Sequence, residues 1–205
     1  MTGMLIQDAA AGHARIIGLT VEQYDYLIEH KLLDEDLTLE LIDGLIVKKD
    51  RAETGGNPDM IGDRHRAAVM RLAALSNAFS PHGSYIQTQQ PIRLPPWHEP
   101  EPDASVIRGD PMTSIEKPLA ADVLCVVEVA DSSLARDLRT KLRAYADAGI
   151  PQYVVVDLVH DVVLDHGNPT GGSYGAATTL HRGDMLRLAA GTARFVDIPV
   201  DRILP

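Results

Sequence analysis

The sequence has a single cysteine, Cys125, which lies inside the apolar run 123–127. One thiol excludes an intramolecular disulfide and a zinc site built from cysteines, and it favours a reducing compartment. The histidines are dispersed without a His-x-x-x-His or similar ligand spacing. The sequence therefore excludes a disulfide framework and argues against a zinc protein.

Long apolar runs are also missing from the chain. No stretch of about 18 apolar residues could span a bilayer, and residues 1–18 lack the cationic and apolar blocks of a signal peptide. We therefore expect a cytoplasmic protein that does not enter a membrane. The 205 residues fit one domain, which we predict over residues 19–205, preceded by an N-terminal arm over 1–18.

Positive charge is scarce, because 19 Lys and Arg face 29 Asp and Glu, for a formal net charge of −10. A protein that binds nucleic acid through its phosphates normally presents a basic surface, so this balance argues against such binding. Basic residues do cluster at 64–71 and at 136–143. These clusters leave room for a local positive lip, or they are ordinary solvated helix faces.

The first half of the chain carries clear signals for two helices and a hairpin. Thr20-Val21-Glu22-Gln23 has the form of a capping box and precedes apolar residues at helical spacing, which predicts a helix over 20–31. Asp43-Gly44 separates two apolar segments and suits a tight turn that needs positive φ, so we predict a two-stranded hairpin. Asp63 is predicted to cap a second helix that ends near Asn77.

The second half indicates a βαβ unit. Val123–Val129 is nearly all apolar, as in a strand covered on both faces. Apolar residues at helical spacing follow and stop at Gly149 and Pro151, and Tyr153–Asp157 is typical of a second buried strand. We therefore expect two parallel strands with a right-handed crossover.

Aromatic residues make up only 4% of the chain, so the core should be mostly aliphatic.

Glu128 is the most informative residue, because it interrupts this apolar strand. Strand alternation places its side chain on the same face as Leu124 and Val126. An unpaired buried charge is costly, so the carboxylate must be neutralised, paired or bound to a cation. A metal site satisfies this requirement, and so does a buried ion pair with an arginine.

Three further residues extend this hypothesis, each with an ordinary alternative. Asp103 follows Pro102 and begins a short strand, although Pro-Asp pairs are also common in turns. Glu40 lies in the first hairpin and is either a site residue or a solvent-facing strand residue. Lys141 lies at the border of the buried stripe of its helix, where it either leans toward the sheet or forms an i, i+4 surface salt bridge with Asp137.

Short motifs follow one another in a fixed order from about residue 19 to 158: Leu19–Tyr24, Glu40–Gly44, His65, Pro102-Asp103, Val127–Ser133, Asp137–Lys141, Tyr145, Gly149–Tyr153 and Val156-Asp157. In this order and spacing the chain resembles the PD-(D/E)xK phosphodiesterase superfamily and, more narrowly, the Uma-two family of restriction-endonuclease-like proteins. The resemblance implies an α/β (α+β) fold. Its mixed central sheet is flanked by helices, with an N-terminal hairpin and C-terminal antiparallel additions. For His65, a surface position at a helix N-terminus is the favoured interpretation.

The resemblance also exposes one departure from the superfamily pattern. The lysine expected two residues after the glutamate is replaced by Ala130. In the Uma-two family the lysine role is taken over by the following helix, where Lys141 occupies the matching position. Its long side chain can deliver an ammonium to the same region.

Phosphodiester hydrolysis by a metal-dependent endonuclease is the activity that the resemblance implies, with nucleic acid, foremost DNA, as substrate. Asp103 and Glu128 would hold Mg²⁺ or Mn²⁺, with Glu40 as a further ligand, and Lys141 would orient water or stabilise developing charge. Cutting a duplex with two symmetric sites favours a homodimer. Two alternatives stay open: a catalytically silent binding or assembly module, and a hydrolase of small phosphate esters.

Overall fold

The part of the chain that the structure describes contains three α-helices and ten β-strands. This computed structural model describes residues 11, 16–49, 62–130 and 135–205, with residues 135–139 described by their backbone alone. Most of the predicted arm over 1–18 lies outside these residues, and so do Asp131–Ser133. The helices are α1 (Val21–Glu29), α2 (Asp63–Ala73) and α3 (Ala135–Asp147). The strands are β1 (Leu39–Ile42), β2 (Leu45–Lys48), β3 (Ser84–Thr88), β4 (Ala104–Arg108), β5 (Val123–Ala130), β6 (Gln152–Asp157), β7 (Val162–Gly167), β8 (Thr178–Leu180), β9 (Met185–Gly191) and β10 (Arg194–Pro199).

Six of the strands form one mixed sheet in the order β3-β4-β5-β6-β7-β8. β5 and β6 run parallel, and every other neighbouring pair is antiparallel. The predicted mixed sheet is therefore confirmed, and so is the βαβ unit, because α3 connects β5 to β6. All eight residues of β5 are buried, as expected of a strand with both faces covered. The antiparallel additions after β6 are confirmed in β7 and β8, while β9 and β10 pair as a separate hairpin.

The predicted N-terminal hairpin is confirmed in β1 and β2, which pair antiparallel. At its turn, Asp43 and Gly44 adopt φ values of 51° and 73°. A Cβ on Gly44 would lie 2.8 Å from the Cα of Gly18. Only glycine fits this close approach of two backbone segments, so the turn is fixed against the chain that leads into α1.

The helices begin close to the predicted positions, with one correction. Thr20 caps α1 through the predicted capping box with Gln23. Asp63 does not cap α2, because Gly62 occupies the N-cap position and Asp63 is the first helical residue. Its charge still favours the positive end of the helix. α2 ends at Ala73, short of the predicted end. No helix in the described part of the chain is long and apolar enough to cross a bilayer.

Two apolar layers cover the sheet, one on each face. The first packs α2 and the β9–β10 hairpin against one face through aliphatic side chains. The second packs α3 against the other face and includes the buried rings of Tyr145 and Tyr153. The core is thus mostly aliphatic, as the composition predicts.

A bulge between β4 and β5 corrects one prediction about faces. The register shifts between Val106 and Ile107, so that β5 carries one extra residue, Leu124, at this point. Leu124 packs in the first layer, whereas Val126 packs in the second. The prediction that Glu128 shares a face with Leu124 is therefore wrong, because the extra residue inverts the alternation between them.

Candidate active site

The four predicted site residues converge at one edge of the central sheet. Glu40 lies on β1, Asp103 immediately precedes β4, Glu128 lies on β5 and Lys141 lies on α3. The antiparallel pairing of β4 with β5 brings Asp103 beside the C-terminal end of β5. None of the four side chains is more than 12% exposed. Two strands, the residue that leads into a third strand and one helix thus contribute to a single buried cluster.

Asp103 is surrounded by donors and positive charge. The backbone N–H of Val129 donates to Asp103 Oδ2 at 2.8 Å, and His65 Nε2 donates to the same oxygen at 3.1 Å. Lys49 Nζ lies 3.7 Å from Asp103 Oδ1. Burial, the largest influence, raises the pKa of Asp103, but these donors and charges outweigh burial and lower it to about 2. Asp103 is therefore an ionised acceptor at neutral pH.

Glu128 has a different environment from that of Asp103. Its Oε1 accepts a hydrogen bond from Tyr145 OH at 2.8 Å and lies 3.4 Å from Lys141 Nζ. Burial raises the pKa of Glu128, the Lys141 charge opposes this rise, and the charges of Asp103 and Glu40 add to it. Among the described residues, the cation beside Glu128 is Lys141 and not an arginine.

Glu40 and Lys141 form the closest ion pair of the site. Glu40 Oε1 accepts hydrogen bonds from the backbone N–H of Glu101 at 2.7 Å and from Lys141 Nζ at 2.8 Å. Glu40 is 3% exposed, so the solvent-facing alternative is wrong. Burial lowers the pKa of Lys141, but Glu128 and Glu40 outweigh burial and raise it above its usual range. Lys141 leans toward the sheet as predicted, and the side chain of Asp137 lies outside the described residues.

Lys49 also belongs to this cluster, although it was not among the predicted site residues. Its Nζ donates to the Glu101 carbonyl at 2.5 Å and lies 3.4 Å from Glu101 Oε1 and 3.7 Å from Asp103 Oδ1. The pairing of the two hairpin strands could have predicted that Lys49 lies near Glu40. Glu40 pairs with Val47, and residues two apart on a strand share a face. Lys49 therefore lies on the same face of the hairpin as Glu40.

His65 corrects another expectation, that of a surface histidine. Its side chain is 14% exposed and its ring contacts Asp103. α2 packs on the sheet through its buried residues Ala68, Val69 and Leu72, and this packing brings its first turn to the site. The family motif that includes His65 was the better guide than its position at a helix N-terminus.

The donor set suits a hard divalent cation by its chemistry, because carboxylate oxygens are the ligands that Mg²⁺ and Mn²⁺ prefer. As the side chains stand, however, the described residues include no group of three or more His, Cys, Asp or Glu arranged to hold a metal ion. The ammoniums explain this arrangement, since Lys141 lies between Glu40 and Glu128 and Lys49 lies against Asp103. The residues therefore fit a cation on condition that carboxylates leave their lysine partners.

One family model matches most of the chain, over residues 21–200; it is Uma2, described as "Putative restriction endonuclease". The matched span contains every residue of the cluster, from Glu40 to Lys141. No curated protein matches the chain. The family match therefore bears directly on the part of the molecule where the carboxylates and lysines meet.

A solved structure is similar to this chain over nearly its whole length. It is described as "a putative nuclease belonging to DUF820" from Anabaena variabilis, and it is 13% identical in sequence. The match covers 91% of this chain and 97% of that chain, with a TM-score of 0.67. At this identity the likeness shows the fold, and it confirms the predicted mixed α/β architecture.

Proposed function

This chain belongs to the Uma2 family, and on that basis we propose that it is a metal-dependent endonuclease that hydrolyses phosphodiester bonds of DNA. Membership supports a nuclease-like function, and the proposal adds the metal and the substrate. One observation carries it: Glu40, Asp103 and Glu128 reach one buried cluster from separate segments of the chain and meet two lysine ammoniums there. With Glu101, four carboxylates face two ammoniums among the described residues, and this negative excess suits a divalent cation.

In this proposal Asp103 and Glu128 would hold Mg²⁺ or Mn²⁺, and Glu40 would be a further ligand. A bound cation of this kind polarises a phosphoryl oxygen and lowers the pKa of a bound water. Asp103 is suited to its part because it is ionised at neutral pH. Tyr145 fixes the orientation of Glu128 through its hydrogen bond. Lys141 would orient the attacking water or stabilise the negative charge that develops on the phosphate.

A second candidate, a nuclease-fold protein that acts as a binding or assembly partner, is favoured by two observations. The net charge is −10, and the described carboxylates already have lysine partners. A hydrolase of small phosphate esters is also compatible with this charge, because it needs no basic groove. Substrate tests separate these candidates from an endonuclease.

The decisive experiment measures cleavage of supercoiled plasmid and of labelled DNA and RNA oligonucleotides with EDTA, Mg²⁺ or Mn²⁺. We expect wild type to cut only with metal, and we expect Glu128→Gln to cut at least about 100-fold more slowly, as for the loss of a group that stabilises the transition state. Glu99→Gln is the matched control, since Glu99 is a buried glutamate paired with Lys117 outside the site. Failure of wild type to cut any of these substrates would overturn the endonuclease in favour of the other candidates.

Metal binding can be measured independently of cleavage. A cation that binds only the folded protein raises its melting temperature, so Mn²⁺ should raise that of wild type. Asp103→Asn and Glu128→Gln should weaken this response, whereas Glu99→Gln should keep it. Equal responses in wild type and the two site variants would show that the cation binds elsewhere.

We also propose a homodimer, because two symmetric sites conveniently cut the two strands of a duplex. Sedimentation velocity over a range of protein concentrations tests this directly. A monomer at every concentration, with and without duplex, would contradict it.

A further inference from the structure

Beyond the four predicted residues, we propose that Lys49 is a second catalytic lysine, which contacts the scissile phosphate from the hairpin side of the site. This inference rests on the proposed endonuclease and adds a residue to it. Lys49 lies just past the end of β2, with its Nζ 3.7 Å from Asp103 Oδ1. An ammonium at this point is suited to attract a phosphate oxygen toward the Asp103 side of the cluster.

The two lysines are held in different ways, which gives them different freedom. Lys141 Nζ lies 2.8 Å from Glu40 Oε1 and 3.4 Å from Glu128 Oε1, and both carboxylates are buried. If Lys141 moved to a substrate, these two carboxylates would lose their closest cation, at a high cost in free energy. Before a cation binds, Lys141 is therefore the more strongly held of the two lysines.

Lys49 is held mainly by a neutral group. Its shortest contact is the Glu101 carbonyl at 2.5 Å, whereas its two carboxylate contacts are longer, at 3.4 and 3.7 Å. Asp103 also keeps its hydrogen bonds from Val129 and His65 when Lys49 moves. Lys49 can therefore turn toward a phosphate at a lower cost than Lys141 can.

The position of Lys49 in the fold supports the same role. The four residues of β2 are all exposed, so the chain reaches Lys49 from the solvent side of the hairpin. Ala130 leaves β5 without the lysine that the superfamily places there. Among the described residues, Lys49 and Lys141 are the two ammoniums within 4 Å of the Asp103, Glu128 or Glu40 carboxylates. Lys49 is the one of these two beside Asp103.

The test compares Lys49→Met, Lys49→Arg and Lys48→Met in the full chain, by steady-state cleavage kinetics with Mn²⁺ and by the Mn²⁺-dependent shift in melting temperature. Lys48 is the matched control, because it precedes Lys49, carries the same charge and is exposed on β2. We expect Lys49→Met to lower kcat about 100-fold with little change in KM, Lys49→Arg to recover part of the rate, and Lys48→Met to behave as wild type. The Mn²⁺ shift should persist in all three variants.

Two outcomes would overturn the role of Lys49 while leaving the endonuclease intact. In one, Lys49→Met cuts as fast as wild type. In the other, it loses the Mn²⁺ shift together with cleavage and Lys49→Arg restores both, which would make Lys49 a structural counterion of Asp103. A wild type that does not cut with any metal overturns the proposed endonuclease itself, and the role of Lys49 with it.

Discussion

Two clusters of buried charge lie among the residues that the structure describes, and they differ in charge balance. In the first, Lys117 Nζ donates to Asp25 at 2.5 Å and to Glu99 at 2.6 Å, and Arg93 lies 2.9 Å from Asp25. Glu22, which lies 3.9 Å from Arg93, is mostly exposed. Two largely buried carboxylates therefore meet two cations. We call this group the balanced cluster, and it joins α1 to the loops that carry its other members.

The site is an unbalanced cluster. Its described members are four carboxylates and two ammoniums, with the His65 ring beside them: Glu40, Glu101, Asp103, Glu128, Lys49 and Lys141. A buried group whose charges cancel can support the fold alone, whereas an excess of negative charge must be removed by protonation of a carboxylate or by a further cation. Charge imbalance, and not burial itself, therefore distinguishes the candidate functional region from a structural ion-pair network.

The largest expected difference between the clusters is in stability and its recovery by a cation. Lys141→Met removes an ammonium from two buried carboxylates and should lower the free energy of unfolding by about 3 kcal/mol. Lys117→Met should lower it by less, because the Lys117 side chain is 34% exposed. Urea unfolding with and without Mn²⁺ measures this. Mn²⁺ should restore much of the loss in Lys141→Met, because Glu40 and Glu128 then lack a cation, and it should restore none in Lys117→Met. Equal recovery in both variants would remove the distinction.

A smaller effect separates Asp103 of the unbalanced cluster from Glu99 of the balanced cluster, because the pH dependence of their contributions to stability has opposite signs. The folded-state pKa of Asp103 is about 2, below its usual 3.8, so Asp103 stabilises the fold above pH 3.8 by about 2 kcal/mol. This stabilisation is lost as the pH falls from 3.8 toward 2. Burial raises the pKa of Glu99 above 4.5, against the effect of Lys117, so its contribution has the opposite sign and is lost as the pH rises above 4.5.

Urea unfolding of wild type, Asp103→Asn and Glu99→Gln between pH 2.5 and about 7 measures both signs, since each variant lacks one titrating group. Asp103→Asn should show a shallower loss of stability in acid than wild type. Glu99→Gln should show a shallower loss above pH 4.5. The same slope in all three proteins would contradict the assignment of these shifts.

The smallest expected effect concerns the Tyr145 hydroxyl, a neutral hydrogen-bond donor in the unbalanced cluster. Tyr145→Phe removes the hydrogen bond to Glu128 and should lower the free energy of unfolding by about 1.5 kcal/mol. Tyr153→Phe is the matched control, because the neighbouring Tyr153 hydroxyl is buried without a hydrogen-bond partner among the described residues. Its loss should leave stability unchanged or slightly higher. Urea unfolding that ranks the two variants in the opposite order would contradict this account.

Much of the fold follows from patterns that local physics determines. The capping box at Thr20, the Asp43-Gly44 turn and the apolar strand β5 each depend on residues within a few positions, and each is found where it was predicted. The βαβ unit follows from the order of strand, helix and strand along the chain. Glu128 could be identified as a site candidate because a charged residue in a buried strand needs a partner in any fold.

What the sequence did not reveal depends on contacts between distant segments. The bulge beside Leu124 is a property of the pairing of β4 with β5, and neither strand alone contains it. The contact of His65 with Asp103 depends on how α2 packs on the sheet. The pairing of the hairpin strands could have predicted that Lys49 lies on the same face as Glu40. Its contact with Asp103, however, depends on how the hairpin packs against the start of β4.

The contact between Gly18 and Gly44 affects residues beyond the turn itself. Glu40 and Lys49 are carried by the two arms of one hairpin, and the hairpin turn rests on a glycine that has no space for even one additional carbon. A methyl group on Gly44 would push the hairpin away from α1. This movement would displace Glu40 and Lys49 at the same time. Gly18 and Gly44 therefore control the positions of Glu40 and Lys49 in the site. Substitutions at either glycine should impair the proposed activity, although neither glycine belongs to the site itself.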